Sequence, residues 1–169
     1  MFSRKIASIN INSITSAVKR GLLKDFIWNN DIDFVFLQEV AFDNFNFLPS
    51  HLSIVNTSGE CNGTAVLIRK SFDFSNVLMH ANGRILSISI EGFNFINIYA
   101  HSGSKYRKER DTLFTEEIVP HLSIDQPNII LGDFNCILLN SDSNGVVKHI
   151  CYGLKTLISD LKLVDIGRT

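Results

Sequence analysis

The chain has 169 residues, 45% of them hydrophobic and 20% charged, with 16 Lys and Arg against 17 Asp and Glu. That length supports one domain whose core needs no disulfide or metal staple, and 13 Phe with only 10 Gly and 3 Pro exclude a disordered or collagen-like chain. A net charge of −1 excludes attachment to nucleic acid by bulk electrostatics, so any phosphate binding must come from a local site.

The N-terminal MFSRKIASIN has no apolar signal region, and no run approaches ~18 apolar residues, so neither a signal peptide nor a membrane span is expected. Cys61, Cys136 and Cys151 form no CxxC pair, which fits reduced thiols in an intracellular protein.

In chain order, IASININ predicts a short first strand. A helix follows, with Ser13 or Thr15 as its cap and Val18, Leu22, Leu23, Phe26 and Ile27 at helical spacing. DFVFLQE is a continuous apolar run of the kind buried on both faces, and Thr64–Arg69 has a strand pattern. RILSISIEGFNFINIYA alternates on either side of Glu91-Gly92 and predicts an antiparallel hairpin. A helix is expected over residues 105–122 with Leu113, Phe114 and Ile118 inward, then a strand at NIILGDFN. The last helix is expected over residues 147–161, and Leu163-Val164-Asp165 looks like the beginning of another strand. Hairpins interspersed with helices, and no linker or repeat, predict one α/β or α+β sandwich domain over residues 1–169.

Polar residues gather where apolar strands end: Asn10 and Asn12 after IASI, Gln38 and Glu39 after DFVFL, Tyr99 and His101 after FINI, Asp133 and Asn135 after NIIL. Sheet ends are where α/β folds aim catalytic groups into a crevice. Glu39 and Asp133 are hard oxygen ligands suited to Mg²⁺, and the Asn side chains can orient a phosphate or a water. Each residue taken singly is better explained as a turn former, and it is the four addresses together that raise phosphate or metal chemistry. The basic run Lys105-Tyr106-Arg107-Lys108-Glu109-Arg110 can hold nucleic-acid phosphates, with Tyr106 stacking on a base, or can be a solvated helix start. His51, His80, His121 and His149 stand alone and read as surface or core residues, and Cys136 as a small buried filler.

The order SININS, LQE, GTAVLI, NIYAHSG, LGDFNC and LVD resembles the endonuclease/exonuclease/phosphatase superfamily, and within it the apurinic/apyrimidinic-type endonuclease domain of non-LTR (LINE-type) retrotransposons. The resemblance implies a four-layered α/β sandwich (DNase I-like) that cleaves phosphodiester bonds with Mg²⁺, or with Mn²⁺ in its place. It implies Glu39 as principal metal ligand with Asn12 nearby. Asn10 would hydrogen-bond the phosphate or the metal site, Tyr99 would bond the scissile phosphate, and Asp133 and Asn135 would position the attacking water and stabilise the developing charge. It further implies a nuclear location and a reverse transcriptase domain downstream in the same polyprotein. Two departures stand out. His101 replaces the Pro that many relatives carry after Tyr99-Ala100, and the Ser-Asp-His segment that supplies the general base and its Asp is not present. By resemblance, residues 1–169 are therefore a domain truncated at its C-terminus, with the last strands missing. A phosphoesterase acting on an inositol phosphate or lipid headgroup, and a non-catalytic fragment of a decayed element, are the alternatives.

Overall fold

The structure, a computed structural model, describes residues 3–57, 63–80, 82–142, 144 and 150–168. Cys61, His149 and the predicted start of the last helix at Val147 lie outside the described residues. The chain divides into two compact units, one of Met1–Tyr99 with His121–Asp133 and one of Ala100–Pro120 with Phe134–Thr169.

The first unit holds two four-stranded sheets. One has the order β1-β2-β4-β3, built from β1 (Ile6–Asn10), β2 (Phe34–Gln38), β3 (His51–Asn56) and β4 (Thr64–Arg69). The other runs β5-β6-β7-β8, from β5 (Phe74–Met79), β6 (Ile85–Ile90), β7 (Phe93–Tyr99) and β8 (Asn128–Asp133). The terminal pairs β1–β2 and β7–β8 are parallel and the other neighbours antiparallel. The hairpin turns at Glu91 (φ 48) and Gly92 (φ 83), two positive φ values that match the twist of the flanking strands.

Alternation along the strands makes the core. Phe34, Phe36, Val66 and Ile68 of the first sheet pack on Leu86, Ile88, Ile90 and Phe95 of the second, with Phe36 stacked on Phe95 at 5.2 Å. The opposite face of the first sheet, through Val35, Leu37, Ala65 and Leu67, packs against Leu23 and Ile27 of helix α1 (Ala17–Asn30). Of the predicted α1 positions, Val18, Leu22 and Phe26 are exposed instead, and Ser16 rather than Ser13 or Thr15 precedes the first turn. Leu23 and Ile27 lie four residues apart on one stripe and suffice to seat the helix.

A buried polar pair helps to bridge the two sheets. Gln38 Nε2 donates to Asn97 Oδ1 at 2.7 Å, and Asn97 Nδ2 donates to the carbonyls of Leu37 and Ala65 at 3.0 and 3.1 Å. Both side chains are buried, so the bonds also specify how the sheets register.

On its other face, the second sheet carries a buried histidine. His121 Nδ1 pairs with Ser87 Oγ at 2.9 Å, its carbonyl accepts from Asn94 Nδ2 at 2.8 Å, and its ring lies 6.2 Å from that of His80. Burial, and secondarily His80, pull its pKa down from 6.5 to about 4. The folded state thus keeps His121 neutral where the unfolded chain binds a proton, so its contribution is present above pH 6.5 and is lost as pH falls toward 4. Burial lowers His51 as well, adding in the same sense. We expect stability to fall by on the order of 2–3 kcal/mol through His121 between pH 7 and pH 4. Thermal melts across that range should show a slope that His121→Gln flattens; an unchanged slope would remove His121 as its source.

The second unit is helical. The predicted helix over residues 105–122 is a succession of a 3₁₀ turn (Ser104–Tyr106), helix α2 (Arg107–Thr112), a π-turn (Leu113–Glu117) and a further 3₁₀ turn (Val119–His121). Leu113, Phe114 and Ile118 are buried as expected, with Phe114 edge-on to Phe134 at 5.8 Å. Helix α3 (Tyr152–Leu161) buries Leu154 and Leu157, and Gly153 is required because a Cβ there would lie 2.6 Å from the Asp111 carbonyl. The expected strand at Leu163 is absent among the described residues, where Ile166–Arg168 forms a 3₁₀ turn.

Candidate active site

Four of the sequence-predicted residues meet at one end of the two sheets. The face of β7 that carries Phe95 and Asn97 ends in Tyr99, the face of β8 that carries Ile129 and Leu131 ends in Asp133, and β1 ends in Asn10. Parallel register sets Tyr99 beside Asp133 and Asn10 beside Gln38. Glu39 follows Gln38 and would point away from this face if β2 continued. Its φ of 55 turns the chain and brings its carboxylate back to the others. The backbone is held there by Ser13 N–H donating to the Glu39 carbonyl at 2.6 Å and Ile14 N–H to the Val40 carbonyl at 3.0 Å.

Asn10 is the hinge of the cluster. Its Nδ2 donates to Glu39 Oε1 at 2.8 Å and to Asp133 Oδ2 at 2.7 Å. The Asn12 backbone N–H donates to Asn10 Oδ1 at 3.0 Å, which fixes which end of the amide faces the carboxylates. One neutral amide thereby holds two carboxylates together without cancelling their charge. Burial, with the charge and hydrogen bonding of Glu39, pushes the pKa of Tyr99 up to about 12. Tyr99 therefore stays a proton donor throughout the neutral and mildly alkaline range.

Sequence reasoning missed Arg84, which precedes β6. Its guanidinium lies 5.2 Å from the Tyr99 ring centroid and Nη1 donates to the Tyr99 carbonyl at 3.2 Å, putting a cation beside a two-carboxylate cluster. Only its place directly after Gly83 and before the alternating strand marks it in the sequence. Asn12 enters through its backbone, with φ 46 and its carbonyl accepting from Lys19 Nζ; its side chain is exposed.

In the other unit, Asn135 (φ 47) donates from Nδ2 to the Ala100 carbonyl at 2.9 Å. The basic run divides. Tyr106 is 37% exposed, with Lys105 Nζ 4.7 Å from its ring centroid, and Arg107 and Lys108 are exposed. Arg110 corrects the expectation of a DNA contact: it is 1% exposed, and Nη1 donates to the carbonyls of His101 and Gly103 at 2.7 and 3.1 Å. A guanidinium turned inward to hold a loop cannot reach a phosphate backbone. The ring of His101 lies 5.7 Å from that of Tyr106.

Mg²⁺ binds through one or two carboxylates and keeps waters in its other positions. Glu39 and Asp133, held on one amide nitrogen, fit that donor set. Among the described residues there is no group of three or more His, Cys, Asp and Glu side chains that could hold a metal ion.

Two packed mixed sheets with carboxylates, an amide and a phenol collected at their strand ends define a mixed α/β protein with its candidate site at the sheet ends. Residues 7–151 match the model of the Endonuclease/Exonuclease/phosphatase family, and the chain belongs to that family. Among solved structures, it is similar to an AP endonuclease from Archaeoglobus fulgidus (TM-score 0.79, 19% identity, 98% of this chain and 74% of that one). It is similar to a variant of the 3′ phosphatase NExo from Neisseria bound to a product DNA hairpin (TM-score 0.71, 18% identity, 95% and 70%). It is also similar to TDP2 from Caenorhabditis elegans (TM-score 0.60, 22% identity), covering 86% of this chain but 51% of that one. These likenesses establish the shared fold. No described helix is long and apolar enough to cross a membrane.

Proposed function

We propose that the chain serves Mg²⁺-dependent phosphodiester hydrolysis on DNA, as a nicking endonuclease. The observation that carries this reading is the Asn10 amide holding Glu39 and Asp133 together beside Tyr99. When bound, Mg²⁺ would supply charge neutralisation at the phosphate, with Glu39 as its ligand. Asp133 would accept the proton of the attacking water and Asn10 would orient that water. Tyr99 would turn its hydrogen from Glu39 to a non-bridging oxygen, where developing negative charge strengthens the bond. Arg84 would add positive charge on the same side. Asn135 would help place the water, and Lys105, Tyr106, Arg107 and Lys108 remain the proposed DNA contacts. DNA as substrate is also supported by the DNA product bound to the Neisseria phosphatase.

The retrotransposon assignment, with its nuclear location and downstream reverse transcriptase, rests on the motif order alone. It is tested by asking whether the source reading frame encodes a reverse transcriptase.

The activity test offers the purified chain supercoiled plasmid, an abasic duplex, a 3′-phosphorylated duplex and an inositol polyphosphate, each with Mg²⁺ and with EDTA. We expect Mg²⁺-dependent relaxation of the plasmid to be slow at best, since no Ser-Asp-His segment supplies a His general base within residues 1–169. Phosphate release from the inositol substrate alone would replace DNA with the alternative substrate class. Mg²⁺ binding without turnover of any substrate would leave the non-catalytic reading.

A further inference from the structure

The second unit contains a pair of cysteines that the site described above does not use. Cys151 caps α3: its Sγ accepts from the Leu154 N–H at 3.4 Å and donates to Asp111 Oδ1 at 3.2 Å. Asp111 Oδ1 is itself fixed by the Gly153 N–H at 2.8 Å. An isolated parallel bridge joins Ile137 to Ile150, and the Cys151 N–H donates to the Ile137 carbonyl at 3.4 Å, so the two cysteines flank one backbone clasp. Across it each thiol shifts the other's pKa, Cys136 upward and Cys151 downward. Arg110 adds an independent feature. It is buried and carries a full positive charge, and its Nε and Nη2 have no hydrogen-bond partner among the described residues. A guanidinium left in that state favours negative charge nearby, and its charge is felt at Cys136.

We propose that Cys136 and Cys151 are a redox dithiol, oxidised by hydrogen peroxide to an intramolecular disulfide. Cys151 is the attacking sulfur, for it has a carboxylate to take its proton and the Leu154 N–H to hold its thiolate. Its pKa is lowered, first by Cys136 and then by the Leu154 N–H, against burial and the Asp111 charge, while that of Cys136 is raised. Cys151 passes its proton to Asp111 and attacks one peroxide oxygen; the O–O bond breaks and hydroxide leaves with that proton as water, giving a sulfenic acid. The Cys136 sulfur then attacks the Cys151 sulfur, the S–O bond breaks, and the second oxygen leaves as water with the Cys136 proton. Two thiols and one peroxide thus yield one disulfide and two waters, a two-electron oxidation. Cys151 is buried, which admits hydrogen peroxide more readily than a bulky disulfide oxidant.

Cys136 directly follows Asn135, so closure would tether the segment that carries that amide to α3. Any effect on turnover rests on the proposed function; formation of the disulfide does not. The test treats the chain carrying Cys61→Ser with hydrogen peroxide under native conditions. Expected are loss of both remaining thiols, a mass decrease of about 2 Da reversed by dithiothreitol, and one cross-linked peptide joining residues 136 and 151. In a second variant, adding Cys136→Ser, Cys151 should stop at a sulfenic acid that dimedone traps. Persistence of both thiols, separate over-oxidation of either cysteine, or cross-linking between chains would each overturn the proposal.

Discussion

Glu39→Gln is expected to lower divalent-cation affinity by at least about 10–100-fold, the range seen even for residues that only support a metal ligand, while leaving the melting temperature close to that of the parent. The substitution keeps side-chain volume and one acceptor oxygen, so the bonds from Asn10 and Tyr99 can persist, but it removes the negative charge a hard cation requires. Asn10→Ala should weaken binding through a different route, because two carboxylates freed from their common donor repel each other and spread. Asp133→Asn should spare more of the affinity yet lower any turnover by about 10²–10⁴, the cost of losing a general base. Mn²⁺ titration followed by the free-ion electron paramagnetic resonance signal measures the affinities without requiring catalysis. Glu39→Gln and Asn10→Ala should be non-additive when combined, since they act on one network. Wild-type affinity in Glu39→Gln would remove Glu39 from the metal site and with it the proposed mechanism.

The parts of this cluster legible in the sequence were those at the ends of apolar runs. Runs ending at Asn10, Gln38-Glu39, Tyr99 and Asp133 announce both a strand and its end, and parallel register sets Tyr99 beside Asp133 and Asn10 beside Gln38. The φ of 55 that turns Glu39 back to the cluster carries no sequence signal. Asn97 was not legible as a structural residue. In NIYA it occupies an inward position, yet one polar residue in an apolar alternation carries no sign of its partner; Gln38 lies 59 positions away. Strands β3 and β5 were missed for different reasons. HLSIVN mixes polar and apolar residues without clean alternation, and β5 is an edge strand, exposed throughout, with its register shifted between Ser75 and Leu78. Charge misled the reading of Arg110, for a basic run looks solvated unless the carbonyls that claim one of its members can be seen. The strand expected at Leu163 failed because a short β-branched run is only a propensity, and tertiary pairing decides whether a strand forms.

Gly132→Ala should be the most destabilising single-methyl change in the first unit, and its cause lies within the GDFN motif. Gly132 sits on β8 opposite Ile98 of β7, with φ 133, a conformation that residues with a Cβ rarely adopt. A Cβ built there would lie 2.0 Å from the Ile98 carbonyl oxygen and 2.8 Å from its nitrogen, both backbone atoms that cannot rotate aside. Relief requires β8 to move off β7, which breaks ladder hydrogen bonds and carries the next residue, Asp133, away from Asn10. Backbone strain of about 1–3 kcal/mol combines with an overpacking cost of about 1–3 kcal/mol, so a loss of about 2–6 kcal/mol is expected. Two other glycines separate strain from space. Gly92 also has a positive φ, but a Cβ there meets nothing within 4 Å, so Gly92→Ala should show the backbone cost alone. Gly21 has neither constraint inside α1, and Gly21→Ala should stabilise the chain by roughly 0.5–1 kcal/mol. Thermal or urea unfolding of the three variants should therefore rank Gly21→Ala above the parent, Gly92→Ala below it and Gly132→Ala lowest. Mn²⁺ affinity should fall only in Gly132→Ala, because only there does the added methyl displace a strand that ends in a carboxylate of the cluster. A Gly132→Ala chain with parental stability and cation affinity would mean that β8 does not approach β7 this closely, and the geometry assigned to Asp133 would fall with it.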